Sequence, residues 1–434
     1  MDILSIIDKK KNKQTLTRQE IDYFIDGFVK TKTIKDYQAS ALLMAIFING
    51  LNKDETLNLT KAMLNSGKTI DLAKVRGVKI DKHSTGGVGD KVSLILLPIC
   101  AALGLKVAKM SGKGLGHTGG TIDKLESVDF KYNLQPNDYI RLLNQVGLCI
   151  SAQTQDIVPA DKMLYNLRNA TATVASQSMI AASIVAKKLA LKTNYVFLDV
   201  KVGDGGFNKD IKAAVILSQL MLDLFKAFKR CAVVHITNMT QPLGRAIGNG
   251  IELKAAIDFL NNKAESQCVK NLIYTFVADI LITTKFAKNK VIAYKMIDQV
   301  IKSKAALNKF NEWMSAQNAD LNLLRSGKYF NPKYQHHICA KKTGYLEYLS
   351  TKEIGLVAFH LGAGRITKES GIDHHAGIYL NAITNEYVKR GQTIATLYSS
   401  RPIKSDTIQG FINNYKINSK PINLRPIVSK IMKN

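Results

Sequence analysis

The chain has 434 residues, 61 of them Lys or Arg and 34 Asp or Glu, for a formal net charge of +27. That length can bury a large core and fits one large domain with a smaller one. No stretch is long and apolar enough to span a bilayer, and the amino terminus MDILSIIDKKKNKQ lacks the apolar run and cleavage site of a secretory signal, so a cytoplasmic location without membrane contact is expected.

The positive charge raises a nucleic-acid-binding reading as the alternative from a different class. Only 11 of the 61 basic residues are arginine, however, and the lysines are scattered among Asn and Ile. They read as solvated lysines of a compositional bias, whose field still favours small anionic substrates. Five cysteines, Cys100, Cys149, Cys231, Cys268 and Cys339, show no CxxC pair and no metal-ligand spacing, and read as reduced core residues.

Residues 1–65 are helical in period. Thr17-Arg-Gln-Glu20 forms a capping box, Ile21, Phe24, Ile25 and Phe28 recur at helix spacing, Asn49-Gly50 marks a stop, and a further helix covers Lys53–Leu64. Residues 66–80 read as a linker with one short extended segment. Two glycine- and hydroxyl-rich turns then dominate the chain: Asp81-Lys-His-Ser-Thr-Gly-Gly-Val-Gly-Asp90 and Ser111-Gly-Lys-Gly-Leu-Gly-His-Thr-Gly-Gly-Thr121. Glycine lets successive backbone N–H groups converge, and hydroxyls add donors to the same cavity. Neither turn has the spacing of a P-loop or of the dinucleotide fingerprint, so the expected ligand is phosphate-like but not a P-loop triphosphate. Lys82 supplies a point charge, Ser84 and Ser93 supply donors, and Ser111 and Thr121 bracket the second turn around Lys113 and His117.

Between and beyond the turns the pattern is α/β. Leu94–Leu103 reads as a helix, Leu105–Met110 as a strand, and Pro136–Gln145 and 160–189 as helical. Val196–Val202 and Ala232–Ile236 read as strands, with helices over Asp210–Arg230 and through Phe259. Strand, glycine loop and helix recurring in this order suggest a doubly wound sheet with ligands at its carboxyl edge. The tail reads as short β-type runs with turns at Thr343-Gly344, Gly355, Gly362-Ala-Gly364, Gly377 and Gly391. Tyr165 with Arg168, and Ser183 with Lys187, lie three and four residues apart, so each pair shares one helix face. Ser183 bonding back to its own helix and Lys187 snorkelling would be structural alternatives; together, guanidinium, hydroxyl and ammonium would read a flat ligand bearing ring carbonyls.

With these motifs assembled, the chain resembles the bacterial thymidine/pyrimidine-nucleoside phosphorylase family over nearly its whole length. The resemblance rests on both glycine turns, the second extended through Ile122-Asp-Lys-Leu-Glu126, and on Pro159-Ala-Asp161, Leu164-Tyr165, Arg168 and Thr171-Ala-Thr173. It continues through Val200-Lys201, Gly203, Gly206-Phe207, Gln241-Pro-Leu-Gly244, Gly248-Asn249 and Leu361-Gly-Ala-Gly-Arg365. It implies an α/β large domain with a central mixed sheet (66–159 and 191–434, phosphate side), a small all-helical domain (1–65 and 160–190, base side) and a C-terminal α+β lobe over 344–434. It also implies a homodimer and a closing cleft. By resemblance, phosphate is bound by Lys82, Ser84, Ser93, Ser111 and Thr121. The pyrimidine is bound by His83, Arg168, Ser183 and Lys187, with Tyr165, Leu115, Ile180 and Phe207 lining the base and sugar pocket, and His83, Arg168 and Lys187 are the catalytic set.

The implied reaction is reversible phosphorolysis of thymidine, deoxyuridine and uridine to free base and sugar 1-phosphate; a strict thymidine phosphorylase is the alternative. An enzyme of the anthranilate-phosphoribosyltransferase type would share such a fold but need acidic residues for Mg²⁺ and pyrophosphate, and the base-reading set argues against it. Departures from the family pattern are Lys113 for Arg, Asn169 and Ala175 for Asp, Ser178 for Pro, and a shortened turn at Val128-Asp129. None removes a substrate contact. No cofactor or catalytic metal is expected. Some relatives hold potassium at positions corresponding to Gly89, Lys91, Leu243, Ala246 and Ala255, with threonine and glutamate where this chain has Lys91 and Ala255. The substitutions imply weak or absent potassium dependence.

Overall fold

A computed structural model describes residues 1–114, 119–263, 265–365 and 371–434. Four helices open the chain, α1 (Ile3–Lys11), α2 (Arg18–Ile25), α3 (Asp36–Asn49) and α4 (Lys53–Leu64). The capping box at α2 is formed: the Glu20 amide donates to the Thr17 hydroxyl, and the Thr17 amide to the Glu20 carboxylate. α2 continues into a π-type turn at Asp26–Lys30, and Gly50, at φ +71°, ends α3. A buried Lys10–Glu55 ion pair of 2.8 Å ties α1 to α4.

The α/β part runs β1 (Lys79–Ser84), α5 (Val92–Ala102), β2 (Lys106–Ser111), α6 (Thr121–Glu126), α7 (Pro136–Gln145), β3 (Leu148–Ala152), α8 (Pro159–Ala170) and α9 (Gln177–Ala190). It continues with β4 (Tyr195–Val202), α10 (Ile211–Ala227), β5 (Cys231–Asn238), β6 (Ala246–Gly248) and α11 (Gly250–Leu260). Four further helices follow, α12 (Gln267–Thr283), α13 (Lys290–Lys302), α14 (Ala305–Ala316) and α15 (Leu321–Ser326). The remainder holds β7 (Tyr334–Cys339), β8 (Gly344–Tyr348), α16 (Thr351–Ala358), β9 (Gly377–Leu380), β10 (Tyr387–Val388), β11 (Thr393–Ser399), α17 (Ser405–Ile412), β12 (Tyr415–Asn418) and β13 (Val428–Lys433).

The central sheet has the order β13-β5-β4-β1-β2-β3. Its five inner-chain strands are parallel and β13 returns antiparallel to β5, which makes the sheet mixed. Parallel strands need both faces covered. One face buries Ile80, Val107, Phe197 and Val233 under α5, buried but for its last residue Ala102, and the α11–α14 group, which includes Trp313. The other packs Val196, Leu198 and Val200 against α9 and α10. The amino-terminal helices share a core with parts of α7, α8 and α9, and α9 thus touches both α4 and α10. The lobe contains a three-stranded sheet, β10-β8-β12, and a four-stranded one, β6-β9-β11-β7. Its sheets draw β6 and β7 from before residue 344, while β13 leaves it for the central sheet.

Several expectations are corrected. The first extended segment is β1, and it carries Lys82, His83 and Ser84 itself. The helical stretch 160–189 is broken at 171–176, where Ala172 adopts φ +56° and the carbonyls of Thr173 and Val174 turn inward to accept from Arg168. Gly355 is no turn but a buried residue of α16, whose start is capped by Ser350. All five cysteines are free, but only Cys100 and Cys149 are buried and Cys339 is exposed, because β7 is an edge strand. The reading of the lysines as solvated fails for seven among the described residues: Lys10, Lys82, Lys91, Lys109, Lys124, Lys188 and Lys201 are at most 3% exposed. Among the described residues no helix is long and apolar enough to cross a membrane.

Candidate active site

All the inner strands end at one edge of the sheet, and the glycine turns rise from it. β1 ends at Ser84 and β2 at Ser111; the pairing of Lys79 with Lys106 and Ile80 with Val107, carried forward, sets these two serines level. Ser93 stands in the first turn of α5, directly after the first glycine turn, and Thr121 opens α6 directly after the second. The phosphate candidates Lys82, Ser84, Ser93, Ser111 and Thr121 therefore converge on one edge by topology.

Around them lies a lattice of buried charge. Asp199, on β4, sits 3.2 Å from the Lys82 ammonium and 2.8 Å from that of Lys201, and accepts from the Thr237 hydroxyl at 2.6 Å. The two lysines hold the Asp199 carboxyl below its usual range against the opposing cost of burial. Ser84 donates to Asp90 at 2.6 Å; burial opposes ionisation of Asp90, but Lys201, Lys82 and this hydrogen bond override it and leave its acidity far stronger than usual. Lys124 approaches Glu252 at 3.4 Å and donates to the Gly119 carbonyl. Lys82 also lies 5.6 Å from the ring centre of Phe276 on α12.

The opposite face of β1 carries Asp81 and His83. Asp81 lies 2.9 Å from Lys188 of α9, and Lys188 also donates to the Met110 carbonyl at 2.8 Å. Lys109 donates to the Lys82 carbonyl, and burial together with the neighbouring Lys188 pushes its ammonium well down in pKa. His83, partly buried, is held well below its ordinary value by burial first and then by Lys188, Lys109, Lys187 and Lys82.

The base candidates form a connected group. Ser183 and Lys187 both donate to Asp161, the latter at 2.5 Å, and Lys187 reaches the Ser183 hydroxyl at 2.7 Å. Arg168, 2% exposed, donates to the carbonyls of Thr173 and Val174, which explains the Thr171-Ala-Thr173 motif as its clamp. Tyr165 is half-buried on the same helix, Ile180 is partly buried on α9, and Phe207 is 56% exposed beyond β4. Leu115, like His117, lies outside the described residues.

Residues missed by sequence reasoning are Asp90, Asp123, Asp161, Asp199, Lys201, Lys124, Lys188 and Lys109. Asp90, Asp123, Lys124, Asp161 and Lys201 stand inside the motifs, and their position there is the signal that could have found them. Asp199, Lys109 and Lys188 gave no such signal, because their burial depends on elements far apart in sequence.

Lys91 is fully buried and donates to the Gly89 carbonyl at 2.9 Å and the Leu243 carbonyl at 2.6 Å. Those oxygens belong to the position set implied for potassium, and Ala255 brings no carboxylate. The residues present do not fit a potassium ion: an ammonium already takes two of its oxygen donors. No step of the chemistry is routed through one.

Comparison with known proteins agrees with this geometry. Residues 4–67 match the helical bundle domain of the glycosyl transferase family, 76–307 its a/b domain, and 345–418 the pyrimidine nucleoside phosphorylase C-terminal domain. The fold thus defines a glycosyl transferase. A thymidine phosphorylase of Mycoplasmoides pirum is 46% identical over 410 residues, covering 94% of this chain and 98% of that protein. A pyrimidine-nucleoside phosphorylase of Geobacillus stearothermophilus is 41% identical over 424 residues, covering 97% and 98%. An anthranilate phosphoribosyltransferase structure from Thermus thermophilus superposes with a TM-score of 0.59 at 14% identity, over 74% of this chain and all of that one, and shares the fold. The chain belongs to the thymidine/pyrimidine-nucleoside phosphorylase family.

The depressed basicity of His83 has a measurable sign. The unfolded chain takes up a proton near the ordinary value of 6.5, which the folded imidazole refuses. His83 therefore costs no stability above that pH and progressively destabilises the fold below it. From pH 7 to pH 5 the melting temperature of the wild type should fall further than that of His83→Gln. Parallel curves for the two proteins would refute this.

Proposed function

We propose that the enzyme catalyses reversible phosphorolysis of thymidine, deoxyuridine and uridine to free pyrimidine and α-D-(deoxy)ribose 1-phosphate. The observation that carries the reading is two chemistries flanking one strand: glycine turns backed by Lys82 and Lys201 on one side of β1, and, tied to its other side by the Lys188–Asp81 pair, the helix that carries Ser183 and Lys187. Relatives over nearly the full length bear both names, thymidine phosphorylase and pyrimidine-nucleoside phosphorylase, which favours the broader range.

Phosphate held by Lys82, Ser84, Ser93, Ser111 and Thr121 attacks C1′ from the face opposite the base. As the new C–O bond forms, the C1′–N1 bond breaks and its electron pair passes into the pyrimidine ring. Arg168, Ser183 and Lys187 stabilise that growing charge at the ring oxygens and N3, where donors fixed in advance are most effective. The neutral His83 donates its N–H toward the pyrimidine O2. Free-base release from thymidine, deoxyuridine, uridine and cytidine, with and without phosphate, tests the reading. Release from thymidine, deoxyuridine and uridine only when phosphate is present is expected; cleavage confined to thymidine would establish the narrower activity, and phosphate-independent release would overturn phosphorolysis. Arg168→Ala should retain the fold and lose about 10²- to 10³-fold in kcat/KM, the scale of removing a charge-stabilising donor.

Lys91 supports independence from potassium, since its own ammonium bridges the first glycine turn to the Gln241–Gly244 loop. In tetramethylammonium buffer, added potassium at constant ionic strength should leave both turnover and melting temperature unchanged. A strong loss restored by potassium, or a potassium-specific thermal shift, would refute it.

We also place the enzyme in the cytoplasm, in keeping with its five free cysteines, and as a homodimer. α3 exposes Tyr37, Met44 and Ile48 along one stripe, with Phe47 beside it and Leu4 of α1 nearby; Tyr37 and Ile48 are over 70% exposed. A contiguous apolar face of this kind needs a cover, and the family resemblance makes a second copy the occupant. Light scattering should give twice the chain mass for the wild type and the monomer mass for Ile48→Lys; a monomeric wild type would sink the assignment.

A further inference from the structure

The Leu361-Gly-Ala-Gly-Arg365 motif has no part in the chemistry above, yet its last residue crosses from the C-terminal lobe to the phosphate edge. Its glycines make the crossing possible. Gly362 holds φ +117°, and a Cβ on Gly364 would stand 2.3 Å from the Phe359 ring. Asn249 donates to the Ala363 carbonyl at 2.8 Å and fixes the segment against the start of α11.

The Arg365 guanidinium then spans two carboxylates of α6, reaching Asp123 Oδ1 at 2.5 Å and Glu126 Oε2 at 2.9 Å. Asp123 is almost fully buried, and its second oxygen accepts the backbone N–H of Gly114 at 2.5 Å and of Gly120 at 2.9 Å. One carboxylate therefore staples the two ends of the second glycine turn, and one arginine from another lobe holds that carboxylate. Glu126 is shared in turn with Lys113 and the Tyr132 hydroxyl, each at 2.6 Å.

We propose that Arg365 is the positioning residue for the second glycine turn, setting the enzyme's affinity for phosphate and not for the nucleoside; this rests on the phosphorolysis reading. Two physical effects act together. A forked guanidinium fixes the orientation of both carboxylates, which a single ammonium cannot do. It also neutralises Asp123, whose bare negative charge in the first turn of α6, the turn that Thr121 opens, would repel an incoming dianion.

The test is steady-state kinetics with each substrate varied in turn, joined to phosphate binding by calorimetry. Arg365→Lys, which keeps the charge and gives the variant best able to fold, should raise the KM and Kd for phosphate several-fold and leave the KM for thymidine unchanged. Arg365→Ala should raise them by about tenfold or more, the consequence of losing roughly one charge-assisted hydrogen bond, and guanidinium ion should restore part of the loss. Should Arg365→Ala not fold, the Lys variant alone decides. An unchanged phosphate KM in Arg365→Lys, or equal changes for both substrates, overturns the inference. A wild-type enzyme that releases no base with phosphate overturns the reading beneath it instead, so the two failures are distinguishable.

Discussion

The pairing of Asp199 with both Lys82 and Lys201, in a place no solvent reaches, is the interaction on which the rest of this site depends. Removing one member of such a group strands a buried charge, at a cost of about 3–5 kcal/mol, so strands β1 and β4 must deliver their residues together. They do so through their parallel register, in which Lys82 lies opposite Phe197 and Ser84 opposite Asp199. Alternation along β1 then sorts the chemistry. Lys82 and Ser84 face the side of Asp199, Asp90 and Phe276, while Asp81 and His83 face Lys188 and Lys187 on α9. A slip of one residue would exchange the two sets, sending His83 among the lysines' partners and Lys82 toward Lys188. On the proposed reading, the register of one strand pair is also the division between the phosphate and pyrimidine groups.

Helix α9 uses neighbouring lysines in the same spirit. Successive helical residues point about 100° apart, so Lys187 joins Ser183 and Asp161 while Lys188 turns to Asp81 and the end of β2. The helix that carries Ser183 and Lys187 is therefore anchored to the strand that carries His83 by a buried ion pair and not by a loop.

Much of this was legible in the sequence, and the reasons it was differ by element. Helix α2 announced itself through its capping box and apolar period, α4 through the Asn49-Gly50 stop before it, and the glycine turns through residue types that few other structures need. Helix α12 went unread because it is apolar on several sides; Val269, Phe276 and Ile280 bury in a crowded layer where amphipathic contrast is lost. Helices α13 and α14 do carry a one-faced apolar stripe, Ala293, Ile297 and Ile301 on the one and Ala306, Phe310 and Trp313 on the other, which was legible and went unread. β13 was illegible because its pairing with β5 spans almost two hundred residues. The buried lysines are the instructive failure. In a chain with 61 basic residues, composition argues that any one lysine is solvated, and only the assembled sheet reveals which of them stand opposite a carboxylate.

Those same carboxylates answer a difficulty in the chemistry. A cleft lined by unpaired lysines would neither fold nor release its products, since uniform attraction for phosphate in every state lowers KM without raising turnover. Asp199 and Glu252 hold the ammoniums of Lys82, Lys201 and Lys124 in place before substrate arrives, and Asp90, bonded to Ser84, counters the same field. Ordering a free lysine costs about 2 kcal/mol of side-chain entropy; here folding has already met it. What remains available to phosphate is the smaller, directed attraction of groups that cannot relax, and such groups favour the geometry in which charge is moving from the attacking oxygen to the base.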